Sequence, residues 1–306
     1  MARARNPTST LSSGVEDWWT DYERSLRRRG RSEQTLALYR RAYVNFWTWA
    51  AARGLSDPTE VTRDVVNEWT SHELDRLAPT SVLMAWRSLR AFFGWYEHET
   101  GRPNPFAGAD RPREPDAEVP VLADEDIRRL LAACEGRDFA ALRDRAVVLV
   151  LVDTGLRLGE LVGLRVEDWD RRADVLYVSG KTGPRAVALS PGVGEALARY
   201  VRARNRRPDA ERWPDLWLGR FRPLTGSGVA QLLARRCKAA GLPRINPHRF
   251  RHTWAHNFRA AGGSEGDLLY LAGWRSAEMA RRYGRSAAGE RARDAARRLG
   301  LGDRFA

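Results

Sequence analysis

Residues 248–253 read His248-Arg249-Phe250-Arg251-His252-Thr253, and three further short motifs accompany them along the chain. Residues 154–160 read Thr-Gly-Leu-Arg-Leu-Gly-Glu upstream, while Gly273-Trp274 and Arg281-Arg282-Tyr283 follow downstream. The motifs supply two arginines, a histidine, an indole and a phenol in a fixed order. Each motif alone is weak evidence, but the ordered set is typical of a site that breaks a phosphodiester without a metal ion.

The two arginines that suit a phosphate are Arg157 and Arg251. A planar guanidinium presents paired N–H donors to phosphate oxygens, so two of them can neutralise a phosphate and hold its pentacoordinate transition state. Glu160 follows Arg157 by three residues, and one helical turn brings their side chains together. Alone, this spacing is more typical of a surface ion pair. The leucines around this pair place the turn against a core, which favours a functional role for Arg157 and Glu160.

His248 and Arg251 are three residues apart and are predicted to share one face of a helix that begins at Pro247. The amino-terminal end of a helix itself attracts phosphate. His252 and His256 continue a four-residue spacing, so a zinc site is an alternative. Neither a cysteine pair nor an HExxH pattern accompanies these histidines, so the motif favours phosphate binding over a metal site. His252 is predicted to pack internally.

Three further side chains complete the candidate site. Tyr283 is the predicted nucleophile, and the indole N–H of Trp274 can donate to a phosphate oxygen. Lys181 is one of two lysines in a chain that otherwise uses arginine. A lysine can give a proton to the leaving oxygen when nearby cations depress its pKa. Tyr270 lies within the apolar run Leu268–Leu271 and is predicted to be buried.

The charge of the chain is positive and unevenly distributed. The formal net charge is +13 over 306 residues. Residues 14–102 carry 13 Arg against 13 Asp and Glu, whereas residues 120–306 carry 35 Arg and Lys against 22 Asp and Glu. Codon bias explains the preference for arginine over lysine but not the confinement of the excess to one half. A basic carboxy-terminal half indicates a nucleic-acid partner.

Cysteine usage and hydropathy place the protein in a reducing, aqueous compartment. Cys134 and Cys237 are the two cysteines, with no CxxC spacing, so both are predicted to be buried thiols rather than a disulfide or zinc framework. The longest apolar stretch, Ala146–Val152, is too short to cross a bilayer, and no signal-peptide pattern opens the chain. The predicted localisation is the cytoplasm, in association with the nucleoid. No membrane partner and no cofactor are expected.

Helical periodicity and punctuation divide the chain into two mainly α-helical domains. Residues 1–13 are a predicted disordered tail, and residues 14–102 contain four amphipathic helical patterns. The proline-rich, charged segment 103–121 is a predicted linker. Residues 122–306 are predicted to be mostly helical with a small antiparallel sheet. Two β-rich runs flank Gly180-Lys181-Thr182-Gly183, which reads as a hairpin.

The ordered motifs resemble those of the tyrosine recombinases of the phage-integrase family. The carboxy-terminal half is similar to their catalytic domain, with a TGLRxxE motif, a hairpin lysine, an HxxR motif and a terminal tyrosine. The amino-terminal helices look like their core-binding, SAM-like domain, including the pattern Ser32, Thr35, Tyr39, Phe46 and Trp49. The resemblance covers nearly the whole chain.

The resemblance implies a mechanism. Tyr283 would attack the scissile phosphate and form a 3′-phosphotyrosine, while Arg157 and Arg251 hold the phosphate. Lys181 would protonate the departing 5′-hydroxyl, His248 would assist proton transfer, and Glu160 would support the site. Members of the family need no metal or nucleotide. They exchange strands between two specific double-stranded DNA sites as tetramers, and the segment 287–299 would dock on a neighbouring subunit.

Two departures and two alternatives accompany the resemblance. Trp274 stands where many members carry histidine, although members of the Cre type also carry tryptophan. Tryptophan keeps a hydrogen-bond donor but cannot carry a proton, so more of the proton transfer is expected to fall to Lys181. No arm-binding domain is expected before residue 14, which favours a simple recombinase of the Xer or Cre type. One alternative is a non-catalytic DNA-binding protein that retains the fold. The other is a type IB-like topoisomerase, which shares the active-site logic.

Overall fold

The computed structural model describes residues 11–113, 120–180, 183–274, 276, 293, 296 and 297. The chain divides into two compact units, Met1–Ala117 and Glu118–Ala306. Within the described residues, no helix combines the length and the apolar character that a membrane crossing requires. The segment 287–299, predicted as a docking helix, lies almost entirely outside the described residues.

Four helices make up the described part of the first unit. They are α1 (Ser13–Arg28), α2 (Glu33–Ala51), α3 (Arg63–Leu74) and α4 (Pro79–Thr100). The hydroxyl of Ser32 accepts a hydrogen bond from the Thr35 backbone N–H and so caps the start of α2. Pro79 opens α4, and Gly101 ends it in the left-handed conformation.

Aromatic side chains fill the core of the first unit. Phe46 packs edge-on against Trp69, and Phe93 packs against both Phe46 and Phe106. Phe106 is 1% exposed although it lies within the predicted linker. The beginning of that proline-rich segment therefore belongs to the core of the first unit. The division of function between the two predicted domains stays a prediction.

Seven helices and one sheet make up the described part of the second unit. The helices are α5 (Asp124–Ala132), α6 (Phe139–Thr154), α7 (Leu158–Gly163), α8 (Pro191–Asn205), α9 (Gly226–Ala239), α10 (Pro247–Ala260) and α11 (Glu265–Ala272). Cys134 and Cys237 are buried in its core, as predicted, and burial raises the pKa of the Cys134 thiol to about 11.

The sheet has three antiparallel strands in the order β1-β2-β3. They are β1 (Trp169–Asp170), β2 (Val175–Gly180) and β3 (Gly183–Ala188). The pairing of β2 with β3 runs from Val175 opposite Ala188 to Gly180 opposite Gly183, so the predicted hairpin is confirmed. Residues 181 and 182 of its turn lie outside the described residues. Together with the helices, this sheet confirms the predicted mainly α-helical fold class.

Helix α6 crosses the core of the second unit and leads directly to the candidate site. It is apolar on nearly all sides, which suits a helix packed on every face. Gly155 ends it with φ +58°, and a Cβ at this position would lie 2.4 Å from the Trp254 ring. Only glycine satisfies both the left-handed backbone and this close approach. The chain then turns into α7 with Arg157 at the turn.

Candidate active site

The turn between α6 and α7 brings Arg157 and Glu160 together, as their spacing predicted. The Arg157 Nη1 atom donates to Glu160 Oε1 at 2.8 Å, and the Arg157 backbone N–H donates to Glu160 Oε2 at 2.9 Å. The Arg157 side chain is 35% exposed, whereas that of Glu160 is 4% exposed. Arg157 therefore reaches the surface from a buried carboxylate that fixes both its backbone and its guanidinium.

Glu160 also binds Arg185, a residue of β3 that the sequence analysis did not identify. Arg185 Nη1 and Nη2 donate to Glu160 Oε1 and Oε2 at 3.0 and 2.9 Å. Burial acts to raise the pKa of the Glu160 carboxyl, but the hydrogen bonds from Arg185 and from the Arg157 backbone outweigh it. The pKa of Glu160 is consequently lowered from 4.5 to about 2. The carboxylate is ionised at neutral pH.

Helix α10 supplies the second predicted arginine. The Asn246 side chain caps this helix by accepting from the His248 backbone N–H. Arg251, one turn later, is 1% exposed, and its Nη1 atom donates to the Gly155 carbonyl oxygen at 2.9 Å. Its Nη2 atom donates to the Ala272 carbonyl oxygen. These bonds involve two of the five N–H donors of an arginine.

The carboxy-terminal end of α11 is where the three arginines meet. The backbone N–H groups of Gly273 and Trp274 donate to the carbonyls of Tyr270 and Leu269, which is the Schellman arrangement. The next three carbonyls along the chain each accept from a different arginine: Leu271 from Arg185, Ala272 from Arg251 and Gly273 from Arg157. The side chains thus satisfy carbonyls that have no partner within the helix.

Trp274 follows this helix end and lies against Arg251. The Arg251 Cζ atom is 4.9 Å from the centroid of the Trp274 ring, a distance suited to a cation–π contact. Trp274 is 8% exposed and packs in a small cluster with Trp254 and Leu268. The structure therefore places Trp274 beside the predicted arginines, in a mostly buried position.

The histidines of α10 occupy different environments. His248 is exposed at the first turn, whereas His252 is 8% exposed, in agreement with the prediction that it packs internally. Their rings meet edge to face with centroids 4.7 Å apart. Among the residues that the structure describes, no group of three His, Cys, Asp or Glu side chains is arranged to hold a metal ion.

Two predicted site residues, Lys181 and Tyr283, lie outside the described residues. The residue before Lys181 is nonetheless informative, because a Cβ on Gly180 would lie 2.6 Å from Glu160 Oε1. The end of β2 therefore passes directly over the buried carboxylate. Tyr283 follows Trp274 by nine residues in the sequence.

Tyr270 was predicted to be buried, and this prediction is wrong. Its side chain is 60% exposed. Leu268 and Ala272, four residues apart, form the buried face of α11, and a residue midway between them points to the opposite side of the helix. Because residues 268–271 are nearly all apolar, their sequence does not show which side of the helix is buried.

The sequence did contain a signal for Arg185. Along β3 the inward positions alternate, and the buried side chains in this stretch are Arg185, Val187 and Leu189. A charged residue at an inward position of a strand requires a buried partner, because an unpaired buried charge is very unfavourable. Reading the strand by its two-residue period would have indicated a carboxylate opposite Arg185.

The family of the chain follows from comparison with known proteins. The model of the phage integrase family matches residues 120–290, more than half of the chain. The chain therefore belongs to the phage integrase family, the tyrosine recombinases, and the resemblance inferred from its motifs is confirmed.

The similarity to curated relatives extends beyond residues 120–290, the segment that the family model matches. A putative integrase/recombinase of Sinorhizobium fredii is 28% identical over 291 residues, covering 89% of this chain and 68% of the relative. The tyrosine recombinase XerD of Lacticaseibacillus casei is 27% identical over 236 residues, covering 74% of this chain and 79% of the relative. The similarity thus includes much of the first unit.

Solved structures share the fold. The Tn1549 transposon integrase, in complex with a circular intermediate DNA, has a TM-score of 0.73 at 23% identity, covering 94% of this chain and 100% of that one. The XerH site-specific recombinase, bound to a palindromic difH substrate, also has a TM-score of 0.73, at 16% identity, covering 91% of this chain and 84% of that one.

Proposed function

We propose that the protein is a site-specific recombinase that cuts and rejoins DNA through a covalent bond to Tyr283. The observation that carries the proposal is the convergence of Arg157 and Arg251 on two adjacent carbonyls, Gly273 and Ala272, just before the segment that leads to Tyr283. Membership of the phage integrase family supports the same reaction. DNA is the substrate, and the product of the first step is a 3′-phosphotyrosine.

The charge of the described site suits this chemistry. Three guanidiniums, on Arg157, Arg185 and Arg251, meet at the end of α11, and two of them bind the ionised carboxylate of Glu160. These four groups carry a net charge of +2. Attack of a phenolate on a phosphodiester creates a transition state with roughly two negative charges. Fixed cations complement that charge without reorganising during the reaction. Arg157, the more exposed of the two predicted clamp residues, would make the first contact with the phosphate.

The other predicted residues complete the reaction. Lys181 follows Gly180, which lies over Glu160, and would protonate the leaving 5′-oxygen. His248, exposed at the first turn of α10, would assist proton transfer around the nucleophile. Trp274 would contribute its N–H or its packing against Arg251. A 5′-hydroxyl from a second duplex then attacks the phosphotyrosine, which forms a new phosphodiester and releases the Tyr283 phenol. One strand is thereby exchanged without loss of the bond energy, and repetition at the other cleaved strands completes the exchange of duplexes. No metal ion or nucleotide is required.

The first unit offers a surface for DNA. A cavity of about 440 Å³ is lined by Arg87, Arg90 and Arg111, together with Asn104 and Trp86. Helix α4, which carries two of these arginines, contains no acidic residue before Glu97. We propose that these arginines contact the phosphate backbone, which positions the enzyme without reading the sequence. Pairing of two DNA sites would assemble a tetramer, in the cytoplasm at the nucleoid.

A suicide substrate tests the proposal. A duplex nicked near the cleavage point, drawn from a pool of candidate sites, releases a short fragment after attack and traps the covalent intermediate. We expect a protease-sensitive protein–DNA adduct with the unmodified protein and none with Tyr283→Phe. An equal yield of adduct from Tyr283→Phe would contradict the assignment of the nucleophile. A DNA complex that never forms an adduct at its bound site would instead support the non-catalytic alternative.

Two further assays separate the remaining alternatives. A type IB-like topoisomerase relaxes supercoiled plasmids whether or not they carry a specific site, so relaxation that needs no site would favour that enzyme. We expect relaxation and strand exchange only with plasmids that contain the mapped site. Cleavage in EDTA should equal cleavage in Mg²⁺, and a strict Mg²⁺ requirement would contradict the proposed chemistry.

A further inference from the structure

We infer that Arg185 is a positioning residue for the cleavage step. Its positive charge balances the negative charge of Glu160, so the positive charge of Arg157 remains available to the phosphate. This inference rests on the proposed function. Among the described residues, Arg185 forms hydrogen bonds with Glu160 and with the Leu271 carbonyl oxygen. Its influence would pass through Glu160 and through the end of α11.

The contacts of Arg185 are internal to the protein. Its side chain is 3% exposed and that of Glu160 is 4% exposed. The Nε atom donates to the Leu271 carbonyl oxygen at 2.7 Å, while Nη1 and Nη2 both donate to Glu160. One guanidinium therefore connects three elements: strand β3, helix α7 and the end of α11.

Each oxygen of Glu160 is shared between two arginines. Oε1 accepts from Arg157 Nη1 and Arg185 Nη1, and Oε2 accepts from the Arg157 backbone and Arg185 Nη2. The carboxylate and one buried guanidinium neutralise each other at close range. The positive charge of the Arg157 guanidinium, whose side chain is 35% exposed, then remains available to a ligand.

Removing Arg185 changes this balance. Of the two arginines that bind Glu160, only Arg157 would remain. The negative charge of Glu160 and the positive charge of Arg157 would then cancel in a site of low dielectric constant. Arg157 would attract a phosphate less strongly and would be drawn toward the carboxylate. The Leu271 carbonyl would also lose its side-chain donor, which loosens the helix end that the other two arginines share. Both effects reduce stabilisation of the transition state more than they reduce overall DNA binding.

The test compares single and double substitutions in single-turnover cleavage of a suicide substrate at saturating protein. Arg185→Met removes the charge and retains much of the side-chain volume. We expect its cleavage rate to fall on the order of 10²-fold while the Kd for DNA changes little. The double variant Arg185→Met/Glu160→Gln removes the uncompensated carboxylate as well. We expect it to cleave faster than Arg185→Met alone.

This reversal distinguishes positioning through charge from a merely structural role. If Arg185 only held the fold together, removing a second buried partner would make the double variant slower or less stable than the single one. Cleavage by Arg185→Met within about three-fold of the unmodified rate, or a double variant no faster than the single one, would overturn the inference. Absence of any adduct with the unmodified protein would instead overturn the proposed function itself.

A conservative variant keeps the inference testable if Arg185→Met does not fold. Arg185→Lys retains the compensating charge but loses the planar fork. We expect Arg185→Lys to cleave within about ten-fold of the unmodified protein, because the Coulombic balance with Glu160 is retained. A loss on the order of 10²-fold, equal to that expected for Arg185→Met, would refute the inference. Thermal unfolding midpoints of all variants establish that folded protein is compared.

Discussion

Glu160 is a buried carboxylate whose charge two arginines stabilise, and this makes the stability of the protein sensitive to acid. Its folded-state pKa of about 2 lies below the ordinary value of 4.5. The unfolded chain therefore binds this proton at higher pH than the folded chain does. The stabilisation, on the order of 3 kcal/mol, is complete above about pH 5 and is lost as pH falls from 4.5 toward 2.

Substitution of Glu160 by glutamine should remove this component of the acid response. We expect Glu160→Gln to be less stable than the unmodified protein at pH 6, because two buried arginine contacts lose their ionised partner. The difference between the two proteins should narrow toward pH 3. Urea unfolding at pH 6, 4 and 3 measures it, and a difference that stays constant over this range would contradict the lowered pKa.

Gly155 is a second residue whose role in stability can be tested directly by substitution. Its left-handed backbone makes alanine unfavourable by about 1 kcal/mol, and contact with Trp254 at 2.4 Å adds an overpacking term of about 1–3 kcal/mol. Gly262 is a matched control, since its φ is +91° but nothing lies within 4 Å of a Cβ there. We expect Gly155→Ala to lower the unfolding free energy more than Gly262→Ala. Equal losses of unfolding free energy in the two variants would show that backbone strain alone, and not contact with Trp254, accounts for the effect.

For individual site residues, the sequence indicated local spacings but not long-range partners. The pairing of Arg157 with Glu160 follows from a three-residue interval, and the helix face shared by His248 and Arg251 follows from another. The bonds from Arg157 to Gly273 and from Arg185 to Leu271 span 116 and 86 residues. No periodicity in the sequence indicates such contacts, because they depend on how separate elements pack.

The elements were predictable in proportion to their length. Long helices such as α4 and α6 have clear end signals, in Pro79 and Gly155. Helix α4 also shows apolar periodicity, and α6 shows a continuous apolar run. The hairpin was recognisable from its glycines and flanking β-rich runs. Strand β1 was not predicted, because its two residues, Trp169 and Asp170, are too few to show alternation.

One buried ion cluster joins several of these elements, so we expect its loss to lower the stability of the protein strongly. Asp144 on α6 is 2% exposed; it accepts from Arg143 at 2.7 Å and from Arg236 on α9 at 2.8 Å. Arg236 in turn donates to the Ala133 carbonyl oxygen at the end of α5. The cluster therefore holds α5, α6 and α9 together around one carboxylate.

We expect Asp144→Asn to lower the unfolding free energy by about 3 kcal/mol, because it leaves buried guanidinium charge without its counterion. The matched control is Asp124→Asn. Asp124 lies 3.9 Å from Arg128 and both side chains are about 70% exposed, so its loss should change stability by less than about 0.5 kcal/mol. Chemical denaturation of both variants measures the contrast. Similar effects from the two substitutions would show that the buried cluster has no special role.

For the whole molecule, the uneven charge suggests that binding and cutting can be separated. The excess of positive charge lies in residues 120–306, yet the first unit has its own arginine-lined cavity. We expect Arg87→Gln/Arg90→Gln to weaken DNA binding and to reduce the slope of log K against log salt by about 2. The cleavage rate at saturating protein should remain unchanged, because the proposed catalytic residues belong to the second unit.

Titration of binding against salt concentration, followed by single-turnover cleavage, measures both quantities. Arg24→Gln is a suitable control, since Arg24 is an exposed arginine of the same unit that lies outside the cavity and pairs with Asp21. An unchanged salt slope in Arg87→Gln/Arg90→Gln would exclude the cavity as a phosphate contact. A reduced cleavage rate at saturation would show that the cavity also affects the reaction.

The end of α11 has a consequence for protein synthesis. Arginines at positions 157, 185 and 251 bind carbonyls that are 116, 86 and 21 residues further along the chain. Since a ribosome delivers the chain from its amino terminus, none of these bonds can form before residues 271–273 have been made. A nascent or prematurely terminated polypeptide would present DNA with basic surface but no assembled reaction centre. The contact order of this cluster is high, so its assembly waits until most of the second unit has been synthesised.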